Sequence, residues 1–423
     1  MMQQSPKQAL LIGYGISGKA CGALLRMHGW DVAAVDRHAK SMTADLPLFP
    51  EDAPLPFDSV DLVVLSPGVA PNHPLTRLGR EVIGEMELAF RFLHNRCVGV
   101  TGTNGKTTTT LLTAHVLNAC GIKAKAVGNV GTALSEYLLA PDPSETLVIE
   151  LSSFQLETLQ QRKLSAAVFL NLTPDHLDRY ETLRDYAAAK ARIQACLTPG
   201  AKLFVSSQVL AEYGDLLEPN TTRVFETAVA PISHSRYTQW GKPELQNVEA
   251  ARALCQELGV STTAFEAALA TFCKPAHRIE WIGEKDGVQY VDDSKGTNVD
   301  AVLHAMRLFK GPLVLIVGGV DKGSSYRPWI EPFQEKVRKM IAYGQAAEKM
   351  EAELKSAFPF ERYELFGDAV AAAKRNAERG DTVLLSPGCS SFDQHRNYAH
   401  RGDQFKEIIF DESEKHNLTR SPH

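Results

Sequence analysis

An α/β fold with mainly parallel sheets, divided among several domains, follows from three features of the sequence. Strand-like apolar runs alternate with helix-like stretches from end to end. Glycine-rich turns follow some of those runs directly and open helices, as at Gly13–Gly18 and Gly102–Gly105. The 423 residues exceed one typical domain, so two or three are expected.

The elements fall into three blocks. In the first, residues 1–95, Gln8–Ile12 reads as a strand, Gly13–Gly18 as a turn and Lys19–His28 as a helix. Asp31–Val35 and Asp61–Leu65 are further strands, the first ending at Asp36 and the second in Ser66-Pro67-Gly68. The second block, 96–274, starts with strand Cys97–Val100 and helix Thr107–Cys120. It continues with strands Thr146–Leu151, Ala166–Leu170 and Lys202–Val205 and closes with helices Asn247–Leu258 and Thr262–Phe272. The third block, 275–410, carries strands Val288–Val291, Leu313–Val317, Lys339–Tyr343 and Thr382–Leu385 with helices between them. Residues 411–423 are polar, have no apolar face and read as a loose tail.

Composition excludes several classes. The net charge is −5 with no basic stripe, which opposes nucleic-acid binding. The seven cysteines include no CxxC pair, which points to reduced thiols in a cytoplasmic protein. No stretch reaches about 18 apolar residues, so no membrane insertion is expected.

The strongest single motif is Thr101-Gly102-Thr103-Asn104-Gly105-Lys106-Thr107-Thr108, between a strand and a helix. Its glycines let backbone N–H groups turn toward phosphate oxygens, and the helix N-terminus adds positive potential. Lys106 would reach the β and γ phosphates of ATP, and Thr107 would ligate Mg²⁺. Val100 stands where the full phosphate-loop pattern has its first glycine. Gly13-Tyr14-Gly15-Ile16-Ser17-Gly18, with Asp36 closing the next strand, also fits a diphosphate site. Read alone it admits NAD(P), a UDP-sugar or plain strand–helix packing; the second phosphate motif favours UDP.

Glu150, in Glu150-Leu151-Ser152-Ser153-Phe154-Gln155, ends an apolar strand where α/β ligand sites lie. Asn171–Asp178 places oxygen and imidazole groups, His176 among them, at another strand end. By itself Lys190, in an alanine-rich helix, reads as a surface lysine. In the third block Asp292–Asn298, Gly318–Gly323 and Ser386–Gln394 each follow a strand. Their convergence suits a crevice for an acidic ligand, to which Lys295 and Lys322 bring positive charge. Cys389 reads as small filler.

GTNGKTT, ELSSFQLE, LTPDHLDRY with the downstream YAAAK, HRIE, DDSKGTN and SPGCSSFDQHRNYAHRG occur in an order that resembles the Mur ligases, and specifically their D-glutamate-adding branch. The resemblance covers the chain up to the tail. It implies a Rossmann-like UDP-binding domain, a central P-loop ATPase domain and a C-terminal dinucleotide-fold-like domain. It implies a cytoplasmic, monomeric enzyme that uses ATP, UDP-N-acetylmuramoyl-L-alanine and D-glutamate in peptidoglycan precursor synthesis.

The same resemblance assigns roles by motif. Gly102, Thr103, Asn104, Gly105, Lys106, Thr107, Thr108, Asn247, His277, Arg278, Asp293 and Lys295 would serve the nucleotide. Thr107, Glu150, His176 and a carbamylated Lys190 would hold Mg²⁺ at two sites, with Lys106, His176 and Lys190 counted as catalytic. Gly15, Ile16, Asp36, Gly68, Asn129, Ser152 and Gln155 would contact the UDP substrate. Thr297, Lys322, Ser391, Phe392 and Tyr398 would form the D-glutamate pocket. The adenine motif of the family keeps only its first asparagine here, in Gln246-Asn247-Val248-Glu249-Ala250, and no threonine separates Asp36 from Arg37.

Overall fold

Three six- or five-stranded sheets carry the chain, and each places its polar loops at strand C-termini. The computed structural model describes residues 7–177, 179–225, 242–273 and 275–410. The expected tail from Asp411, the boundary at Lys274 and Asp178 of the histidine motif lie outside the described residues. The chain divides into two compact units, Met1–Leu172 with Arg184–Phe272 and Thr173–Leu183 with Cys273–His423, the first of which holds two separate sheets.

The first unit contains two sheets. β1 (Gln8–Ile12), β2 (Asp31–Val35), β3 (Leu48–Phe49), β4 (Val60–Leu65) and β5 (Gly79–Gly84) run parallel in the order β3-β2-β1-β4-β5. β6 (Cys97–Thr101), β7 (Ala124–Gly128), β8 (Thr146–Glu150), β9 (Leu164–Phe169), β10 (Leu197–Val205) and β11 (Thr222–Val224) run parallel in the order β11-β10-β9-β6-β8-β7. Two buried carboxylates on helix Glu85–Phe92 explain why these sheets form one unit. Glu85 accepts from the Ser135 hydroxyl at 2.7 Å, and Glu87 accepts from the backbone N–H groups of Gln160 and Gln161 at 2.8 and 3.1 Å. A buried carboxylate is costly unless it is bonded in this way.

β6 lies between β8 and β9, so the loop after it emerges among three parallel strand ends. Helix Lys106–Ala119 continues that loop and buries Leu112, Val116 and Leu117 against Val98, Val100 and Val148 of the sheet and Leu254 of helix Lys242–Glu257. Each such side chain contributes about 1.5–3 kcal/mol by leaving water. The loop is therefore held at both ends by packed structure.

The second unit holds β12 (Glu280–Lys285), β13 (Val288–Asp292), β14 (Leu313–Gly318), β15 (Val337–Tyr343), β16 (Phe360–Tyr363) and β17 (Thr382–Gly388), in the order β12-β13-β17-β14-β15-β16. All pair in parallel except the β12–β13 hairpin. That hairpin turns at Asp286-Gly287, both at positive φ (57° and 80°), the geometry of a tight two-residue β-turn. β13, β17 and β14 are neighbours, so the three polar loops of the third block leave adjacent strands. Among the described residues no helix is long and apolar enough to cross a membrane.

Candidate active site

The phosphate loop is built so that its backbone stays accessible. Gly105 has φ 82°, and a Cβ there would fall on the Asn247 carboxamide. Asn171 fixes the loop from the next strand end: its carbonyl accepts from Thr103 N–H at 3.0 Å, and its Oδ1 accepts from Asn104 N–H at 2.9 Å. The Lys106 amine donates to the Gly102 and Thr103 carbonyls, both at 2.8 Å. Helix Lys106–Ala119 thus begins one residue earlier than expected. Thr107 and Thr108 are buried in its first turn.

Glu150 ends β8 and is 1% exposed. Its Oε1 accepts from the Asn129 carboxamide at 2.9 Å, whereas its buried Oε2 has no hydrogen-bond partner. A buried carboxylate oxygen left so is expensive unless a cation meets it, and a hard oxygen donor suits Mg²⁺. Lys190 overturns its reading as a surface lysine. It is 1% exposed, donates to the Gly102 carbonyl at 2.8 Å and lies 4.5 Å above the Tyr186 ring. The packing of helix Leu183–Ala191, not its alanine-rich composition, decides this. As an ammonium Lys190 carries only donors and has no lone pair to offer a metal.

In the N-terminal sheet an open cavity of about 480 Å³ is lined by Gly15, Ile16, Asp36, Gly68 and His73, among others. Gly18 is required beside it, because a Cβ there would strike the Gly13 carbonyl. Both Asp36 oxygens are engaged by the backbone, accepting from Tyr14 and His38 N–H groups at 2.8 Å each. Asp36 therefore shapes the glycine loop. Ser152 and Gln155 likewise bond each other in a capping box that starts helix Ser153–Thr158.

In the second unit, Asp175 is buried between Lys322 at 3.1 Å and the Asn298 carboxamide at 3.2 Å. Burial works against its charge, yet Lys322, then His176 and Asn298, hold the carboxyl below the usual range. His176 and His277 both adopt left-handed backbone conformations, φ 56° and 63°. Such strain in non-glycine residues concentrates at functional sites. His277 Nδ1 lies 2.6 Å from Asp292, and the Lys295 amine lies 3.9 Å from the centre of the Tyr398 ring. Thr297 is half-buried, Ser391 is buried, and Phe392 is 72% exposed. Thr107, Glu150, Lys190 and Asn247 thus belong to the first unit, while His176, Arg278, Asp293 and Lys295 belong to the second.

Sequence reasoning missed two residues here. Asp175 was seen only as one polar group in a cluster, without its pairing to Lys322. Arg401 was not singled out, yet it is fully buried. Its guanidinium donates to the Ser294 carbonyl at 2.7 Å, the Ser294 hydroxyl at 2.8 Å and the Cys389 carbonyl at 3.3 Å. It thereby ties the loop after β13 to the loop after β17. Five donors in a fixed fork make arginine able to do this.

Asp293 gives a pH-dependent prediction. Burial pushes its carboxyl up to about 7, with Asp292 adding repulsion, although the Ser386 hydroxyl at 2.7 Å and Arg278 favour the charged form. The native state holds this proton to higher pH than the unfolded chain does. The group's contribution to stability is therefore present below about pH 4 and lost as pH rises from there toward neutrality. Asp293→Asn, neutral throughout, is expected to raise the melting temperature at pH 8 and change it little near pH 4.5. The difference corresponds to on the order of 2–4 kcal/mol. Equal shifts at both pH values in a thermal melt would contradict this.

Comparison with known proteins follows the same lines. Residues 100–227 match the Mur ligase middle domain and residues 277–389 match the Mur ligase, glutamate ligase domain. The UDP-N-acetylmuramoylalanine--D-glutamate ligase of Protochlamydia amoebophila is 43% identical over 95% of this chain and 98% of that protein. The chain belongs to the Mur ligase family. Solved Mur ligases share the fold at low identity. A MurF from Acinetobacter baumannii aligns with TM-score 0.62 and 17% identity over 94% of this chain and 90% of that one. The MurF of Thermotoga maritima, solved with ADP, aligns with TM-score 0.58 and 18% identity over 84% of this chain and 90% of that one. This Mur ligase therefore has the three α/β domains of its family, with one antiparallel strand in the C-terminal sheet.

Proposed function

We propose that this Mur ligase joins D-glutamate to UDP-N-acetylmuramoyl-L-alanine, releasing ADP and phosphate. The observation that carries the ligase chemistry is the phosphate loop with Lys106, which leaves β6 next to the end of β8, where the buried Glu150 Oε2 lacks a hydrogen-bond partner. The choice of amino acid and acceptor is supported by the full-length similarity to a relative named for that reaction. In this reading residues 1–95 take the UDP substrate, 96–274 take ATP and 275–410 take the amino acid. The enzyme works as a cytoplasmic monomer in peptidoglycan precursor synthesis.

The alanyl carboxylate takes the γ-phosphoryl group of ATP and becomes an acyl phosphate. The D-glutamate amine attacks that carbonyl, and phosphate leaves. Lys106 binds phosphate oxygens and offsets their charge. Asn247, His277, Arg278, Asp293 and Lys295 orient the nucleotide. Thr107, Glu150, His176 and a carbamylated Lys190 are the residues that would hold Mg²⁺ at two sites, and the ions would supply charge neutralisation when bound. Asn129, Ser152 and Gln155 serve the muramoyl substrate, and Gly15, Ile16, Asp36 and Gly68 serve its UDP. Thr297, Lys322, Ser391, Phe392 and Tyr398 hold D-glutamate, with Lys322 exchanging Asp175 for a substrate carboxylate.

The test is ADP release with each substrate omitted in turn and with a panel of amino acids in place of D-glutamate. Release is expected only with both substrates, and a heavy-oxygen label on the alanyl carboxylate is expected in the phosphate. Cleavage of ATP to AMP, or preference for another amino acid, would refute the reading.

A further inference from the structure

Three loops carry the residues proposed above to hold D-glutamate: Thr297 lies after β13, Lys322 after β14, and Ser391 and Phe392 after β17. None of those residues explains what sets the spacing of the loops. The structure shows one buried element touching all three. Tyr326 and Trp329 are 1% and 0% exposed, and their rings lie 5.2 Å apart.

The Tyr326 hydroxyl donates to Asp321, the neighbour of Lys322, at 2.6 Å. The same oxygen lies 3.1 Å from the thiol of Cys389, two residues before Ser391. The Trp329 indole N–H donates to the Val299 carbonyl at 3.0 Å, two residues after Thr297. Trp329 also fills the space beside Gly388, where a Cβ would meet its ring at 2.9 Å.

The proton positions follow from chemistry. Asp321 also accepts from Lys349 at 2.9 Å. Burial opposes its charge, but Tyr326 and Lys349 hold its carboxyl below the usual range, so it is ionised and can only accept. The Tyr326 proton therefore points to Asp321, and the Cys389 thiol donates to the Tyr326 oxygen. One hydroxyl thus links two loops, and the Val320–Ser390 bridge, with hydrogen bonds of 2.9 and 3.3 Å, runs alongside.

We propose that Tyr326, with Trp329, is a positioning residue of the amino-acid pocket: it fixes the Lys322 loop against the Ser391 loop and so sets the affinity for the incoming amino acid. Cys389 is part of this link and not only filler. The inference rests on the D-glutamate reading above. The Tyr326 hydroxyl meets Asp321 and Cys389, outside the phosphate loop, the UDP cavity and the Asp293–Lys295 segment, so its loss bears on one substrate.

The test is Tyr326→Phe, which removes one oxygen and keeps the ring packing. The KM for D-glutamate is expected to rise roughly tenfold, the scale of losing a hydrogen bond to a charged group. The KM values for ATP and the UDP substrate, and kcat at saturating D-glutamate, are expected to stay within about twofold, a split that general destabilisation would not give. Cys389→Ser, which keeps a donor to the Tyr326 oxygen, is expected to stay near the parent KM, whereas Cys389→Ala, which removes it, is expected to raise it. An unchanged KM for D-glutamate in folded Tyr326→Phe, or equal increases for all three substrates, would overturn the proposal. Failure of the parent enzyme itself to use D-glutamate would instead overturn the reading of its activity.

Discussion

Lys106→Ala is expected to lower substrate-dependent ADP release by on the order of 10²–10³ or more while leaving the fold intact. The side chain is partly buried at the start of helix Lys106–Ala119, and its amine bonds two carbonyls of its own loop. Those bonds contribute about 1 kcal/mol each, small against the stability of a domain whose sheet and helix are packed around Val98, Val100 and Leu117. During phosphoryl transfer the same amine exchanges carbonyls for phosphate oxygens, where a full positive charge offsets developing negative charge. The loss should therefore fall on turnover and ATP affinity and leave the melting temperature of the free enzyme nearly unchanged. ADP release and a thermal melt with and without ATP separate the two effects. Full turnover in a folded variant would remove Lys106 from the chemistry.

The phosphate loop was legible because its parts are local. Two glycines, a lysine and a threonine at fixed spacing between an apolar strand and a helix determine where backbone N–H groups point. The same locality made the buried parallel strands readable: Leu313–Gly318 is continuously apolar and lies in the middle of its sheet. Edge strands were not. Glu280–Lys285 mixes charge with Trp281, and Phe360–Tyr363 and Leu48–Phe49 are too short to show a period. The Asp286-Gly287 turn was a signal that could have revealed the β12–β13 hairpin.

The electrostatics of the site were legible only as charge types. Lys322 was expected to offer a positive charge to an acidic ligand, and the structure gives it Asp175, from a segment more than a hundred residues away. No spacing rule encodes such a pairing. Arg401 sits in a helix whose residues look surface-exposed, yet it is buried because the carbonyls of two loops surround it. Family motifs carried the residue assignments farther than periodicity did. They named Lys190 although its neighbours are alanines, and they left open what its own surroundings require.

Those surroundings set up the second large effect. Lys190→Ala is expected to be nearly inactive and to regain activity with added acetate or another short carboxylate. The native amine is 1% exposed and bonded to the Gly102 carbonyl at 2.8 Å. An ammonium carries only donors, so in that form it would repel a metal instead of ligating it. Reaction of the neutral amine with CO₂ forms an N–C bond and releases a proton, giving a carbamate with two acceptor oxygens. Glu150, whose Oε2 is buried without a partner, is the other carboxylate of the first unit proposed for this metal set. Truncation to alanine removes the carboxylate and leaves a space the size of the lost side chain, which acetate fits. Parent enzyme stripped of CO₂ and bicarbonate should also lose activity and recover it on adding bicarbonate, and labelled bicarbonate should give a carbamate signal by NMR. Activity that ignores CO₂ and survives in Lys190→Ala without acetate would make Lys190 a structural residue only.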